Sequence, residues 1–490
     1  MLRINVSFDE LKFLKTIIFI DLSVMVLKYS ETQGNYNELL VTSDVKKSGF
    51  IFVGLLIFVT VWFLSNSIFW TYLKLERREA FKDGSFLWHN NYDELQKIYK
   101  ERLSKNLTWS SGHGVNSDQN VMANPFRIVC YYVTPSNLTR SRDLPPNSVD
   151  PYLCTHIIIG FAIIQNATIQ TRSPTDIQIY KTIVNLKNVN PQLKVLISVE
   201  DFSSDGEFAK MVSSDELRTK FATNTLIFLN STGFDGVDLD WEFPSWPNAD
   251  LIQVRNYTLL LKKFRHLINN SYMSSNKDFV LSVAVAAPEL IMRQSYEIQQ
   301  MSEQVEFVNL MSYDYHLYSQ YLPLTGPNAP LYQRNAEEGY METLNTNWSA
   351  THWVEWGMPW TKINVGIPTF GHSFRLINED NNGWNAPASG IGKEGKGDGF
   401  VSYPEACKFI QNPSTTHVFD EEYEVPYAYN GKEWISYDSP VSVELKARYV
   451  KNNKFGGAMI YSLNCDDFEG VCSSIKFPLT RIVSNILMKD

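Results

Sequence analysis

Short runs of apolar, often β-branched residues alternate with longer amphipathic stretches from Arg127 to the end of the chain. The apolar runs predict strands, and intervening stretches such as 214–229 and 250–268 predict helices. The predicted strands span residues 127–133, 156–162, 194–199, 233–240, 279–286, 307–312, 362–367 and 457–462. This strand–helix alternation predicts an α/β fold, a (β/α)8 TIM barrel. The long interval at about 369–439 predicts a small α+β insertion between strands 7 and 8.

A different hydrophobic pattern lies upstream of the predicted barrel, where residues 49–73 form one uncharged apolar run. Such a run is long enough to cross a bilayer as a helix, and interfacial aromatic residues lie near its end. We therefore predict a cytoplasmic segment at 1–48, a transmembrane helix at 49–73, a stalk at 74–124 and a barrel domain at 125–488. A shorter apolar stretch at 16–27 is either interfacial or a weak first span.

Charge and glycosylation signals give opposite orientations for this helix. Basic residues are more numerous after it than before it, which alone would place the following domain in the cytoplasm. Sequons indicate the secretory route instead. They begin at Asn106, Asn137, Asn166, Asn230, Asn256, Asn269 and Asn347. Because large domains translocate against a modest charge bias, we predict a single-pass type II membrane protein with an extracellular or lumenal barrel.

Composition narrows the classes of function. A net charge of −9, without a basic cluster to offset it, argues against a nucleic-acid-binding surface. The aromatic fraction of 13% suits a protein that stacks sugar rings, although a large barrel core has the same composition. The cysteines fit neither zinc spacing nor a redox CxxC pair, and their odd number leaves one unpaired if the others form disulfides.

The most unusual segment is FDGVDLDWEFP at residues 234–244. Alternation along a strand places Asp238, Asp240 and Glu242 on one face and their apolar neighbours, including Trp241, on the other. Asp235 has the opposite parity from the three acids. Carboxyls aligned along the interior of a sheet lose solvation and repel one another, which is expensive without a functional purpose.

The acids suggest proton-transfer chemistry. Glu242 has apolar neighbours on both sides, which raise the pKa of a carboxyl and suit a general acid. Asp238 and Asp240 are expected to titrate as a coupled pair. A magnesium or calcium site is the rival interpretation. Bulky apolar neighbours and the absence of a nearby His or Asn ligand favour glycoside hydrolysis without a metal or cofactor.

The acidic segment and several other blocks of the sequence resemble a known family. FDGVDLDWEFP is similar to the DGxDxDxE signature of glycoside hydrolase family 18, the chitinases and chitinase-like lectins. Further blocks resemble that family in order: RIVCYYV, DPYLCTHIIIGFA, FVNLMSYDYH, TGPNAPLY, KINVGIPTFGHSFRL and GGAMIYSLNCDDF. The resemblance covers the chain from about Arg127 to its end. It implies a chitinase that hydrolyses β-1,4 bonds in chitin or in N-acetylglucosamine oligosaccharides.

The resemblance also implies a role for each acid. Glu242 protonates the glycosidic oxygen, and the substrate's own N-acetyl oxygen attacks the anomeric carbon, so the mechanism is substrate-assisted and retaining. Asp240 orients the acetamido N–H and stabilises the resulting cation, while Asp238 exchanges a proton with Asp240. Tyr313 donates a hydrogen bond to the acetamido oxygen.

Other positions acquire expected roles from the same resemblance. The implied substrate-binding residues are Phe161, Phe202, Trp241, Phe243, Met311, Asp314 and Tyr461. Asp235 and Gly236 belong to the structural part of the signature. The implied disulfides are Cys130–Cys154 and Cys407–Cys472, which leaves Cys465 as a buried free thiol.

Several positions depart from the family pattern. The third-strand block SxGG, followed by tryptophan, reads SVEDF at 198–202, so Glu200 and Asp201 replace glycines that let backbone approach a sugar. The eighth-strand tryptophan is Tyr461, and the seventh-strand tyrosine and arginine are Phe370 and His372.

These departures keep a second function open, a non-hydrolytic or weakly active lectin-like protein that binds chitin or oligosaccharides. The intact Glu242 favours the enzyme. A third possibility, an endo-acetylglucosaminidase acting on N-glycans, is disfavoured by the long insertion before the eighth strand. We expect His316 and His372 to be structural or cleft-rim residues.

The predicted topology has a direct test. We expect Asn106 or Asn137 to carry glycan, and we expect the carboxyl-terminal domain in sealed vesicles to resist added protease. Digestion of that domain from the cytosolic side would establish the opposite orientation.

Overall fold

The computed structural model describes residues 126–135, 143–202, 206–270, 279–395 and 397–488. The predicted segments 1–48, 49–73 and 74–124 lie outside these ranges, as do the sequons at Asn106 and Asn137. Within the described ranges, no helix combines the length and the apolar character that a membrane span requires.

The strands of the described ranges are β1 (Arg127–Val133), β2 (His156–Ile164), β3 (Ile169–Gln170), β4 (Lys194–Asp201), β5 (Gly236–Trp241), β6 (Val280–Ala286), β7 (Phe307–Met311), β8 (Ile363–Pro368), β9 (Phe370–Leu376), β10 (Ala388–Gly390), β11 (Phe400–Ser402), β12 (Thr416–Asp420), β13 (Val425–Asn430), β14 (Glu433–Ser436) and β15 (Gly457–Tyr461). The α-helices are α1 (Asp176–Val184), α2 (Glu207–Val212), α3 (Asp215–Thr232), α4 (Leu251–Asn269), α5 (Glu289–Ser295), α6 (Ile298–Ser302), α7 (Thr346–Glu355), α8 (Tyr403–Ile410), α9 (Pro440–Asn452) and α10 (Pro478–Met488).

A closed parallel barrel forms the body of the protein. Its strands pair in the order β1–β15–β8–β7–β6–β5–β4–β2, and β2 pairs with β1 to complete the circle. The predicted bounds of these strands differ from the observed ones by at most three residues. The eight-stranded barrel predicted from the alternation is therefore confirmed.

Two helices with clear end signals flank the strand that carries the acids. Helix α3 begins after Ser214, whose hydroxyl accepts a hydrogen bond from the Leu217 amide at 3.2 Å. It ends at Gly233, which adopts a positive φ of 80° and donates its N–H to the Leu229 carbonyl. Asp250 caps α4 by accepting from the Ile252 amide at 3.0 Å. These signals fix where the chain enters and leaves β5.

The start of β5 is anchored by the first residues of the acidic signature. The Asp235 carboxylate accepts hydrogen bonds from the Lys187 ammonium at 2.9 Å and from the Val195 amide at 2.9 Å. A Cβ atom at Gly236 would overlap the carbonyl of Val280 on the adjacent strand. Asp235 and Gly236 therefore hold the register of β5 without facing the carboxyl end of the barrel.

A second, antiparallel sheet lies between strands β8 and β15 of the barrel. Its strands run in the order β10–β9–β14–β13–β12, with β11 also paired to β9. Only Thr369 separates β8 from β9, so the second sheet begins directly at the carboxyl end of a barrel strand. The second sheet is therefore adjacent to the carboxyl end of the barrel.

Disulfides are present at both implied positions. Cys130 of β1 is bonded to Cys154, which lies just before β2. Cys407 of α8 is bonded to Cys472, which follows β15. Cys465 is free and fully buried.

The sequons of the described ranges differ in accessibility. Asn166, in the turn between β2 and β3, is exposed, as are Asn230 on α3 and Asn269 on α4. Asn256 and Asn347 are half-buried, and the Asn347 side-chain oxygen accepts a hydrogen bond from the Tyr449 hydroxyl at 3.0 Å. Glycosylation at these positions stays a prediction, and Asn347 is the least suited of them sterically.

A buried ion pair at the end of the second sheet generates a stability prediction. Lys446 of α9 lies 2.5 Å from Asp438, and their side chains are 0% and 1% exposed. Replacing Lys446 by Met leaves a buried carboxylate without its cation, so we expect the free energy of unfolding to fall by about 3–5 kcal/mol. Urea unfolding of the full-length protein at pH 7 measures this loss.

Arg448 on the same helix provides the matched control. It pairs with Glu444 at 2.7 Å, and its side chain is 57% exposed. We expect Arg448→Met to cost at most about 1 kcal/mol, because exposed ion pairs contribute little. Equal losses for the two variants would contradict the role assigned to Lys446.

Candidate active site

The acids lie at the carboxyl end of β5, where barrel enzymes carry their catalytic groups. Asp238 and Asp240 are buried inside the barrel, and Glu242 follows the last strand residue and is half-buried. Across β4, Ser198 is in register with Asp238 and Glu200 with Asp240. The fold thus brings the three predicted acids together, and Glu242 is the most exposed of them.

Asp238 is an acceptor for four side chains. Its Oδ2 accepts from the Tyr131 hydroxyl at 2.7 Å and from the Ser198 hydroxyl at 2.9 Å. Its Oδ1 accepts from the Ser282 hydroxyl at 2.6 Å and from the Asn309 amide at 3.1 Å. Burial raises the pKa of Asp238, and these hydrogen bonds act in the opposite direction because they favour the ionised form.

Asp240 has a contrasting environment. It is 3% exposed, and its Oδ1 has no hydrogen-bond partner among the described residues. Burial, and then the charges of Glu242, Asp238 and Glu200, raise the pKa of Asp240 well above its ordinary value. The two acids therefore have different surroundings, since donors that favour the ionised form surround Asp238, whereas neighbouring charges disfavour ionisation of Asp240.

Aromatic side chains form the base of the cleft around Tyr461. The Tyr461 ring lies 5.6 Å from Tyr131, 5.8 Å from Tyr313 and 6.1 Å from Phe370, measured between ring centroids. Tyr461 is half-buried, whereas the other three rings are buried. The position that departs from the family tryptophan is therefore still an aromatic platform beside the acids.

Tyr313 packs beside Tyr461 and interacts electrostatically with Asp240 and Glu242. Burial raises the pKa of its hydroxyl, and so do the charges of Tyr461, Asp314, Asp240 and Glu242, so the hydroxyl keeps its proton. That hydroxyl points to the Met459 sulfur at 3.9 Å, which is a weak acceptor. The Tyr313 proton is thus available to a stronger acceptor in the cleft.

Asp314 is held in an unusual backbone conformation by its neighbours. Its φ is 59°, its amide donates to the Asn328 side chain at 3.0 Å, and its Oδ1 lies 2.7 Å from the His372 ring nitrogen Nε2. His372 stands where the family pattern has arginine, and it contacts the acid of the sixth-strand block. His316 is buried, and burial lowers its pKa to about 4, which fits a structural residue.

The remaining predicted sugar contacts have different exposures. Phe161 is 4% exposed and packs on Tyr131, with ring centroids 6.1 Å apart. Met311, at the end of β7, and Phe243, after Glu242, are half-buried. Phe202 is 63% exposed just beyond β4. Of these side chains, Phe202 presents the largest open ring face.

Trp241 requires a correction. The sequence interpretation included it among the substrate-binding residues, but its side chain is only 1% exposed. It stacks on Phe208 of α2 at 5.4 Å and meets Tyr257 of α4 edge to face at 5.5 Å. Alternation along β5 turns Trp241 away from the acids and into the layer between barrel and helices. It is a packing residue.

The two acids that replace the third-strand glycines point in different directions. Glu200 is 6% exposed and forms an ion pair with Arg172, which follows β3. Burial raises the pKa of Glu200 to about 7, and Arg172 acts against that rise. Asp201 instead accepts a hydrogen bond from the Phe208 amide at 2.9 Å, in the first turn of α2. Each acid ties β4 to a different loop.

Sequence reasoning missed the donors that surround Asp238. Tyr131 and Asn309 lie within recognised blocks, but no rule of spacing connects them to an acid more than 70 residues away. Ser282 has the inward parity of β6, a signal that would have marked it as a polar residue on the acid-facing side. Arg172 had no signal, because it lies in a loop.

The described residues contain no group of three or more His, Cys, Asp or Glu side chains arranged to hold a metal ion. Every oxygen of Asp238 already accepts hydrogen bonds, which leaves the carboxylate no free lone pair directed at a cation. What the arrangement can perform is proton transfer between neighbouring carboxyls beside an aromatic platform.

Comparison with known proteins agrees with this geometry. Residues 127–466 match the model for glycosyl hydrolases family 18. Chitotriosidase-1 of Mus musculus is 35% identical over 362 residues, which are 72% of this chain and 76% of that protein.

Two solved structures share the fold. Human YKL-39, described as a pseudo-chitinase with retained chitooligosaccharide binding properties, has a TM-score of 0.69 and 33% identity, over 74% of this chain and 100% of that chain. The Group IV chitinase of Ostrinia furnacalis has a TM-score of 0.69 and 30% identity, over the same shares of the two chains. With a family match over most of its length and relatives above 30% identity, this chain belongs to glycoside hydrolase family 18.

Proposed function

We propose that the protein is a chitinase that hydrolyses β-1,4 bonds between N-acetylglucosamine units, with Glu242 as the proton donor. The observation that carries the proposal is the environment of the Asp240 carboxyl. It is a buried carboxyl with a raised pKa and an unpartnered Oδ1, next to Glu242 and above a saturated Asp238. A buried acceptor without a donor costs free energy, and an acetamido N–H supplies that donor.

The mechanism follows from what the site contains and lacks. Glu242 is positioned to give its proton to the glycosidic oxygen, but neither of the two described acids that precede it on β5 is free to attack the sugar. Four donors occupy Asp238, and the raised pKa of Asp240 favours its protonated form. The nucleophile is therefore the substrate's own acetamido oxygen, as in the substrate-assisted retaining scheme of this family.

Two side chains hold that acetamido group. Asp240 accepts its N–H, so the oxygen is turned toward the anomeric carbon and the developing positive charge lies beside a carboxyl. Tyr313 donates to the acetamido oxygen, because its present acceptor, the Met459 sulfur at 3.9 Å, is weak. Tyr461 provides the aromatic surface on which the sugar ring stacks.

Relatives support the substrate class. The similar proteins include a chitotriosidase and an insect chitinase, and the human relative is described as retaining chitooligosaccharide binding. We extend that class, chitin or its oligosaccharides, to this chain as part of the proposal.

We also propose that the catalytic domain acts outside the cytoplasm, anchored by the helix predicted at 49–73. The support is the pair of disulfides, because such bonds persist in oxidising compartments. Sequons exposed on the barrel agree with this placement.

One feature favours the second candidate, a lectin-like protein with weak or no hydrolysis. The ion pair between Glu200 and Arg172 lies at the position where the family uses glycine, and Glu200 adds a charge beside Asp240. The human relative described as a pseudo-chitinase shows that this fold can bind without hydrolysis. The complete set of acids in this chain favours the enzyme.

Turnover of a fluorogenic chitotriose substrate tests the proposal. We expect the full-length protein to release the fluorophore and Glu242→Gln to lose at least about 100-fold in kcat, because general acid catalysis contributes that much. Binding of chitooligosaccharide should survive the substitution. Equal rates for the two proteins would refute the catalytic role, and binding without turnover by the unsubstituted protein would establish the lectin-like function.

The raised pKa of Glu200 generates a separate prediction about stability. Its folded-state pKa, about 7, exceeds the ordinary value of 4.5. Ionisation of Glu200 therefore lowers the free energy of unfolding, and this stability is lost as the pH rises from 4.5 through 7. Below 4.5 this cost is absent. We expect Glu200→Gln to raise the free energy of unfolding by about 1–2 kcal/mol at pH 8 and by much less at pH 4.5.

Urea unfolding at the two pH values measures this effect. Glu207→Gln is the matched control, since Glu207 forms only an exposed pair with Lys210 at 2.9 Å. It should change stability little at either pH. A stabilisation by Glu200→Gln that is the same at both pH values would contradict the buried titration.

A further inference from the structure

A run of hydrogen bonds inside the barrel leads from the amino end of β1 to the catalytic acids. Arg127 Nε donates to Asn364 Oδ1 at 3.0 Å, and Asn364 Nδ2 donates to Asn309 Oδ1 at 3.0 Å. Asn309 Nδ2 then donates to Asp238 Oδ1 at 3.1 Å. Both asparagines are fully buried, and every donor in the run points the same way.

Strand register explains why these side chains meet. Arg127 of β1 is in register with Gly457 of β15, Gly457 with Asn364 of β8, and Asn364 with Asn309 of β7. Gly457, on the strand between β1 and β8, therefore places no side chain between Arg127 and Asn364. A Cβ atom at the preceding Gly456 would overlap the guanidinium itself. Consecutive glycines therefore leave the space that the guanidinium crosses.

The guanidinium of Arg127 is held firmly but not by an acid. Its Nη2 donates to the Thr361 carbonyl at 2.5 Å, and its charge lies 5.0 Å from the centroid of the Phe307 ring. Burial lowers its pKa to about 10, so it is still protonated at neutral pH. No ion pair between Arg127 and a carboxylate occurs among the described residues. Its connection to negative charge is through the two amides.

Arg127, the first residue of the run, determines the direction in which each hydrogen bond is donated. A side-chain amide can present either its oxygen or its nitrogen, so an asparagine alone does not determine whether it donates. Arginine has donors and no acceptor. Because Arg127 donates to Asn364, that residue presents its oxygen to Arg127 and its N–H to Asn309. Asn309 in turn must present its N–H to Asp238.

We propose that Arg127, Asn364 and Asn309 are positioning residues that keep Asp238 ionised, so that the proton of the Asp238–Asp240 pair resides on Asp240. This inference rests on the proposed function, because it concerns the protonation state that the reaction requires. It adds a second group of residues, which extends from the amino end of β1 to Asp238 and acts through that carboxyl.

The other donors to Asp238 do not fix its charge in this way. The hydroxyls of Tyr131, Ser198 and Ser282 can rotate, and each can accept a hydrogen bond from a protonated Asp238 as readily as it donates to an ionised one. Only the Asn309 amide is held as a donor by a chain that ends in a cation. Loss of that constraint raises the pKa of Asp238.

Other ionisable groups near the pair also influence its titration. They are Tyr131 of β1, Glu200 of β4, Glu242 after β5, Tyr257 of α4, Tyr296 after α5, Tyr313 after β7 and Tyr461 of β15. None of them changes in the variants below, so a shift in the pair's behaviour is attributable to the hydrogen-bond run.

The test uses Asn364→Leu in the full-length protein. Leu has the same branching at Cγ as Asn but cannot donate to Asn309, and the Asn309 amide is then free to turn its oxygen toward a protonated Asp238. We expect the acid limb of the kcat/KM profile on fluorogenic chitotriose to move to higher pH by about one unit. Asn364→Ala, which removes the same amide and adds no charge, should move the limb in the same direction. It serves if the Leu variant fails to fold.

Asn345→Leu is the matched control. Asn345 is also a buried asparagine with two side-chain hydrogen bonds, to the Glu342 carbonyl at 2.9 Å and from the Trp348 amide at 2.8 Å, and the described contacts do not link it to Asp238. It should lower Tm without moving the acid limb. Coinciding acid limbs for Asn364→Leu and the unsubstituted protein would overturn the inference.

A readout that needs no turnover separates this inference from the proposed function. A higher pKa of Asp238 means that its ionisation costs the folded state more at neutral pH than at acidic pH. The Tm loss caused by Asn364→Leu should therefore be larger at pH 7 than at pH 4.5. Equal losses would overturn the inference even if the protein hydrolyses chitotriose, and unequal losses would support it even if turnover is absent.

Discussion

The rest of the structure depends on the burial of one carboxyl group, that of Asp238. A buried carboxylate is tolerated only when donors replace the water it loses. The four donors come from β1, β4, β6 and β7, strands that are distributed around the barrel and far apart in sequence. Closing the barrel and assembling the Asp238–Asp240 pair are therefore the same event. With Asp238 satisfied, Asp240 is left as the acid with an unmet acceptor, and Glu242 follows it toward the cleft.

Much of the fold and part of the site could be predicted from local pattern. Alternation with a period of two located the barrel strands and put the three acids on one face, and it also turned Trp241 to the other face. The family resemblance nevertheless suggested a sugar contact for Trp241, and the packing of that ring on Phe208 shows that the alternation was the better guide. The bond from Arg127 to Asn364 joins residues 237 positions apart and depends on the register of three strands, which no local pattern encodes.

Glu200 and Asp201, which replace the family glycines at the end of β4, affect both the packing of the barrel rim and the electrostatics of the neighbouring acids. Glycine at these positions would leave β4 unconnected to the loops beside it. Glu200 instead binds Arg172 after β3, and Asp201 binds the first turn of α2. The rim of the barrel gains attachments on two sides, and the Asp238–Asp240 pair acquires a neighbouring carboxyl. The physical effect on Asp240 is the same in sign as that of Glu242, since each charge disfavours its ionisation.

Cys465 has a consequence for how this domain is made. Burial raises the pKa of its thiol to about 12, so at pH 7 the thiol stays protonated. Thiol–disulfide exchange proceeds through the thiolate and requires access to it. Once the barrel has closed, the unpaired cysteine is inert toward Cys130–Cys154 and Cys407–Cys472. The period in which an incorrect disulfide can form is thus limited to the time before the core around Cys465 is packed.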